Sequence, residues 1–220
     1  MIRRLLRSLR RRDDDGVTLI EVMVSMGVMS VVMVVFTGAI LQAFRTTAKT
    51  ETISYAQSQL QIAFQRVDKE VRYASWIAVP AKVGTAWYVE YANFDGTSCG
   101  QLRFETAPSA DAGNQGDAKG ILSLLIWPRD TAPAAGVAGL LVAKQLLDPG
   151  SSGPFERTDP ASAAHAGFTP DFQRLRIRLT SQVGGGQASD STAQMDTTFT
   201  ALNTSRNTPA DNDCSNGRPS

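Results

Sequence analysis

Few residues in this chain invite a chemical reading. Glu21 is the one ionisable residue within residues 17–41, VTLIEVMVSMGVMSVVMVVFTGAIL. A carboxylate in such a run is costly unless it is neutralised or paired. Two partners would serve. One is the positive end of the helix dipole, because Glu21 lies near a helix start. The other is the free amine of a neighbouring chain's N terminus, which would bury opposite charges together and set an axial register. Cys99 and Cys214 are the two cysteines, and a bond between them would close a loop of about 115 residues. Their positions alone do not establish that they meet. His165 is the sole histidine and sits in a Gly/Pro/Ala-rich stretch without a nucleophile pattern, so no catalysis is expected from it. Gly184-Gly185-Gly186 lacks the lysine and the strand–turn context of a phosphate loop. Asp211-Asn212-Asp213-Cys214 lacks the ordered spacing of a calcium loop, which leaves open calcium ligands converging from separate loops. The expectation is a non-enzymatic chain with no catalytic residue, no metal and no cofactor.

The elements around Glu21 explain its setting. The chain has 220 residues, enough for one domain and an appendage, with 22 basic and 21 acidic side chains and a formal net charge of +1. Six arginines (Arg3, Arg4, Arg7, Arg10, Arg11 and Arg12) and three aspartates (Asp13, Asp14 and Asp15) crowd residues 1–16, leaving 16 basic against 18 acidic residues beyond them. A basic head on a mildly acidic body does not suit a nucleic-acid binder. From Val22 to Leu41 there are 20 residues without a charge. At about 1.5 Å per residue they span a hydrocarbon layer of about 30 Å. The arginines precede the run, so the positive-inside rule keeps the N terminus cytoplasmic and sends the body outward. A secretory signal is cut after its apolar run. Here the polar punctuation, Asp13-Asp14-Asp15-Gly16, stands before it, and a cut there leaves the helix attached. Gly27, Gly38, Ser25 and Ser30 are small positions that permit close helix packing in lipid, and equally are ordinary membrane-helix composition.

Gly16-Val17-Thr18-Leu19-Ile20-Glu21 resembles the prepilin cleavage and methylation motif of type IV pilin-like proteins. The resemblance implies a leader over 1–16, cut between Gly16 and Val17 by a membrane prepilin peptidase that also methylates the new amine. It implies that Glu21 is the family's glutamate, the fifth residue of the mature chain. Val17 departs from the phenylalanine usual at the first mature position. The implied partners are the prepilin peptidase/methyltransferase, other minor and major pilins or pseudopilins, an inner-membrane assembly platform and membrane lipid.

Residues 45–79 carry no Gly or Pro, and Pro80 supplies a stop. Ile53, Ala56, Leu60, Phe64, Val67, Val71, Ala74 and Ala78 recur at steps of three or four, one helical stripe. The spacing predicts a nearly continuous helix over 17–79, about 95 Å long. Its segments are a transmembrane or filament-core part over 17–44 and an amphipathic extracytoplasmic part over 45–79. Residues 60–74, LQIAFQRVDKEVRYA, resemble the helix of J-type minor pseudopilins and W-type minor pilins, and the same pattern equally describes an amphipathic helix under a sheet. Leu202-Asn203-Thr204-Ser205-Arg206-Asn207 is similar to the arginine–asparagine ending of many chains in that class.

Beyond Pro80 the pattern turns to short runs. Residues 87–91, with Glu90 among them, 101–105, 121–127, 174–179 and 192–202 read as strands, and 140–147 as strand or short helix. Five or six strands after a long helix predict an α+β fold. A long N-terminal helix would pack on an antiparallel, pilin-like β domain over 80–204. The Ala/Gly/Pro/Asp-rich stretches 106–119, 128–138 and 149–171 read as long connections, and 205–220 as a disordered tail. Arg174, Arg176 and Arg178 fall on one face of a strand and read as a solvated sheet face, with no nucleic acid expected. The outward topology permits a Cys99–Cys214 disulfide. The expected function is that of a minor pilin or pseudopilin, at initiation or at the tip of a type IV pilus-like or type II secretion filament. The alternatives are a membrane-anchored extracellular binding module and a major pilin.

Overall fold

The computed structural model describes residues 17–106, 120–134, 137–160, 170–182 and 192–219. The chain divides into two compact units, Met1–Ala48 and Lys49–Ser220. The helix α1, Leu19–Arg72, contributes residues 19–48 to the first and residues 49–72 to the second. Gly16, His165 and the Gly184-Gly185-Gly186 turn lie outside the described residues.

The first unit is helix from Leu19 onward, with its apolar side chains uncovered by protein. Among the described residues it holds the one helix long and apolar enough to cross a membrane. Its serines and threonines do not spoil that character. Ser25 Oγ donates to the Glu21 carbonyl at 2.8 Å, and Ser30 Oγ to Met26 at 2.8 Å. Each hydroxyl spends its proton one turn back on its own helix.

The second unit is an antiparallel sheet with residues 49–72 laid across one face. In chain order the strands are β1 (Ala74–Ile77), β2 (Ala81–Val83), β3 (Ala86–Asn93), β4 (Ser98–Thr106), β5 (Gly120–Pro128), β6 (Leu140–Leu146), β7 (Phe155–Thr158), β8 (Arg174–Gln182) and β9 (Thr192–Thr200). Their order is β1-β3-β4-β5-β6-β8-β7, with β2 beside β3 and β9 beside β8, and every pairing is antiparallel. The α+β expectation therefore holds.

Period-two alternation decides which side chains meet the helix. Val89, Tyr91, Leu102, Phe104, Leu122 and Leu124 turn to the face that packs on Ala56, Leu60, Ala63, Val67 and Val71. Full burial of a Leu or Val side chain contributes about 1.5–3 kcal/mol. Phe64 reaches the Phe199 ring at 5.3 Å between centroids. The stripe read from the sequence is thus the core stripe up to Val71, with Ala63 added.

The helix, however, stops at Arg72, not at 79. The Leu202 N–H donates to the Arg72 carbonyl (2.9 Å), and Asn203 Nδ2 donates to the Tyr73 carbonyl (3.0 Å), closing the helix end from the far end of the domain. Residues 74–77 then pair with β3 and bury Trp76 and Ile77. Ala74 and Ala78 continue the helical spacing in sequence, but their small side chains fit a strand equally, and tertiary pairing decides.

Further differences concern segments read as a long connection or a disordered tail, and one that received no assignment. The stretch 149–171 contains β7, and 81–83 forms the short β2. Residues 140–146 resolve to strand. The tail read as disordered is ordered over 205–219. It includes a 3-10 turn, Asp213–Gly217, whose start is capped by Asn212 Oδ1 accepting from the Cys214 N–H at 3.1 Å.

Candidate functional site

Two places bring the singled-out residues together. The first is the start of α1. Thr18 holds it: its carbonyl accepts from the Glu21 N–H (3.0 Å) and the Val22 N–H (3.2 Å), and its Oγ1 accepts from the Glu21 N–H at 3.4 Å. Ser and Thr at this position satisfy helix-start donors that have no partner inside the helix. Glu21 falls in the first turn of α1, and both Val17 and Glu21 are exposed. A carboxylate in a first turn is favoured by the helix dipole. It also stands available to a partner outside the chain.

The second place is the sheet face turned away from α1. Tyr88, Glu90 and Ala92 on β3, and Cys99, Gln101 and Arg103 on β4, alternate to this side. The residues that cover it come from the tail. Cys99 and Cys214 are bonded at an S–S distance of 2.00 Å, with Cα atoms 5.4 Å apart, across 115 residues of sequence. Around them Trp76, Ala78, Ala92 and Trp127 form a second apolar cluster. The Trp76 indole N–H donates to the Pro209 carbonyl at 3.0 Å. A Cβ on Gly217 would run into the Trp127 indole, so only glycine lets the tail lie this close.

Glu90 lies at the centre of that face with no solvent exposure. Its carboxylate accepts from Gln101 Nε2 (3.0 Å), the residue opposite it in the β3–β4 register. It accepts from Arg218 Nε (3.1 Å) and forms a short ion pair with Arg218 Nη2. Gln101 Nε2 also donates to the Gly217 carbonyl (2.9 Å), and Arg218 Nη2 to the Val79 carbonyl (2.8 Å). Glu90 is therefore buried although the face it occupies turns away from α1, because the tail covers that face. The signal that could have found it was the second cysteine, which ties the tail to the strand next to Glu90.

On the helix face, the Tyr91 phenol donates to Glu70 Oε2 at 3.1 Å, and Arg66 stands 3.5 Å from Glu70. Burial first, and then the Glu70 carboxylate, push the Tyr91 phenol well above its ordinary value of 10.0. The Tyr91 ring lies over Gly100, its register partner, where a Cβ would overlap it.

The β8 arginines form a solvated ladder. Arg176 meets Asp196 through two bonds of 2.7 Å, and Arg178 approaches Glu156 at 3.4 Å. Those arginines hold the exposed Asp196 below the usual carboxylate range, the Arg176 hydrogen bonds contributing most. Among the described residues no three His, Cys, Asp or Glu side chains stand where they could hold a metal ion.

The prokaryotic N-terminal methylation motif family matches residues 11–37. The matched segment takes in the end of the basic head, Gly16, Val17, Glu21 and the start of the apolar run. It supports a type IV pilin-like family and indicates a pilin or pseudopilin precursor. It implies processing by a prepilin peptidase, methylation, and assembly with other pilins. No curated protein and no solved structure matches the chain.

Proposed function

We propose that the chain is a non-enzymatic minor pilin or pseudopilin. It is cut between Gly16 and Val17, retained in the cytoplasmic membrane with its β domain outside, and assembled at initiation or at the tip of a pilus-like or type II secretion filament. The observation that carries this reading is the junction itself: a basic leader ending in Gly16, a helix beginning two residues after Val17, and Glu21 in its first turn before 20 uncharged residues. A cut there frees an amine beside an apolar helix that has one carboxylate to offer. Pairing that amine with Glu21 of a neighbouring subunit would neutralise both in lipid and fix the axial step. The likeness of residues 60–74 to J- and W-type helices supports the minor class.

The test is the mass of the N terminus of membrane-extracted protein made together with a prepilin peptidase. The expected mature chain begins at Val17. Gly16→Leu should leave the precursor at full length, because the peptidase must accept a residue with no side chain at the cut. Release of Val17 from that variant, or a wild-type chain that stays uncut, removes the filament reading in favour of an anchored binding module. Abundance in purified filaments separates the minor from the major class.

A further inference from the structure

The sheet has one edge unlike the others. β1, β2 and β7 have 4, 3 and 4 residues, and β1 is bulged against β3. β9 has 9 residues, holds an unbroken register with β8 from Thr192 to Thr200, and among the described strands pairs with no other. Edges of that length are usually blunted by lysine, proline or a bulge. β9 has none of these. Its one charge, Asp196, is spent on Arg176.

The direction of its backbone groups follows from β8. The Arg178 N–H bonds to Pro154 and the Thr180 carbonyl accepts from Leu147, so the even-numbered residues of β8 face β6 and β7. The odd ones face β9. Leu179 opposite Met195 and Ile177 opposite Thr197 are then the hydrogen-bonded pairs. The N–H and C=O groups of Gln194, Asp196 and Thr198 therefore point outward from the sheet. A groove of about 580 Å³ lies along this edge, lined by Gln57, Leu60, Gln61 and Phe64 of α1 and by residues 192–197. A groove touched by six consecutive strand residues is lined by the strand's edge, since one face would supply only every second residue.

We propose that the free edge of β9 accepts an uncharged extended segment of a partner polypeptide as an added strand. The unpaired backbone row recognises a strand, and added strands bind through such rows with pockets reading alternate side chains. The groove fixes the charge class. Leu60, Phe64, Ala193 and Met195 supply its apolar floor and Gln57 and Gln61 its neutral polar rim, while Asp196, on the opposite sheet face, is already paired. A charged side chain entering it would lose water without gaining a counter-ion. This holds whether or not the chain joins a filament.

The test is amide hydrogen exchange on the full chain in detergent micelles, with capped peptides as probes. The first is a neutral peptide of alternating threonine and valine. The second carries N-methyl groups on the amides that would face β9, and the third has lysine in place of the threonines. The neutral peptide should slow exchange at Gln194, Asp196 and Thr198 by about tenfold or more, and the other two should not. Gln194→Pro removes an outward donor while sparing the β8 ladder. Gln61→Lys keeps the strand backbone and places an ammonium at the rim. Each should weaken the protection about tenfold, with the circular dichroism of wild type confirming the fold. No protection by the neutral peptide, or equal protection by the methylated or lysine peptide, overturns the proposal. So does protection that rises with protein concentration alone, which assigns the edge to a second copy of the chain.

Discussion

The carboxylate of Glu90 has no access to solvent, and the guanidinium that neutralises it belongs to Arg218, 128 residues further along the chain. Strand and tail are thereby joined by opposite charges as well as by the Cys99–Cys214 bond. Arg218→Ala leaves a buried carboxylate without its counter-ion, and losses of this kind run to about 3–5 kcal/mol. Glu90→Gln combined with Arg218→Ala removes the charge along with its partner and should recover a good part of that loss. Denaturant melts of the four proteins measure the coupling. A double variant as unstable as Arg218→Ala alone would show that the pair is not the source.

Reduction of Cys99–Cys214 frees a loop of 115 residues. The entropy model assigns about 5 kcal/mol to a loop of that length, and measured losses run about 2–5. The tail should lift from the second apolar cluster, so reduced protein, or Cys214→Ser, should show red-shifted emission from Trp76 and Trp127. Trypsin should also cut faster at Arg206. Identical emission and cutting with and without reductant would mean that the remaining contacts hold the tail unaided.

Tyr91 predicts the alkaline limb. Its phenol titrates above its ordinary 10.0 in the folded domain, burial and the Glu70 carboxylate both disfavouring the phenolate. The folded form therefore keeps the proton after the unfolded chain has lost it. The contribution to stability is complete below the unfolded value and disappears as pH rises through the folded one. Tyr91→Phe should cost about 1 kcal/mol at neutral pH, for one hydrogen bond, and should flatten the loss of stability above pH 10. An alkaline slope equal to wild type would place the titrating group elsewhere.

Glu21→Ala should leave cutting at Gly16 and membrane insertion intact, since hydrophobicity rises and the junction is unchanged. Crosslinking to other filament subunits should fall, because a neighbour's amine loses its counter-charge. Glu90→Ala cannot serve as the harmless comparison, given its burial. The exposed Asp130 is the suitable site, and Asp130→Ala should crosslink as wild type does. Equal crosslinking for Glu21→Ala and wild type, at matched protein levels, counts against register pairing.

The elements legible in the sequence were those whose pattern is local. The uncharged run over 22–41, the helical stripe to Val71 and the alternation in β4 and β8 each show in one contiguous stretch of sequence. What escaped depended on partners far away. The helix end at Arg72 is closed by Leu202 and Asn203, the strand 74–77 exists by pairing with β3, and β7 sits where composition suggested a loop. The tail resembles a disordered one because its order comes from a cysteine, a glycine and an arginine meeting residues more than a hundred positions upstream. The burial of Glu90 has the same origin, since its partner Arg218 lies 128 residues further along the chain.

The covering of the outer sheet face by residues 209–218 has a temporal consequence. A ribosome makes β3 and β4 long before it makes Arg218. Throughout that interval the Glu90 carboxylate lacks its counter-ion, and Trp76 and Trp127 lack their cover. The outer face of the sheet therefore cannot close until residues 209–218 have been made. A chain broken off early would keep a sticky, wrongly charged surface that quality-control proteases can recognise. The turn that carries Cys214, Gly217 and Arg218 thus works as a seal, closing a face that the strands made before it leave open.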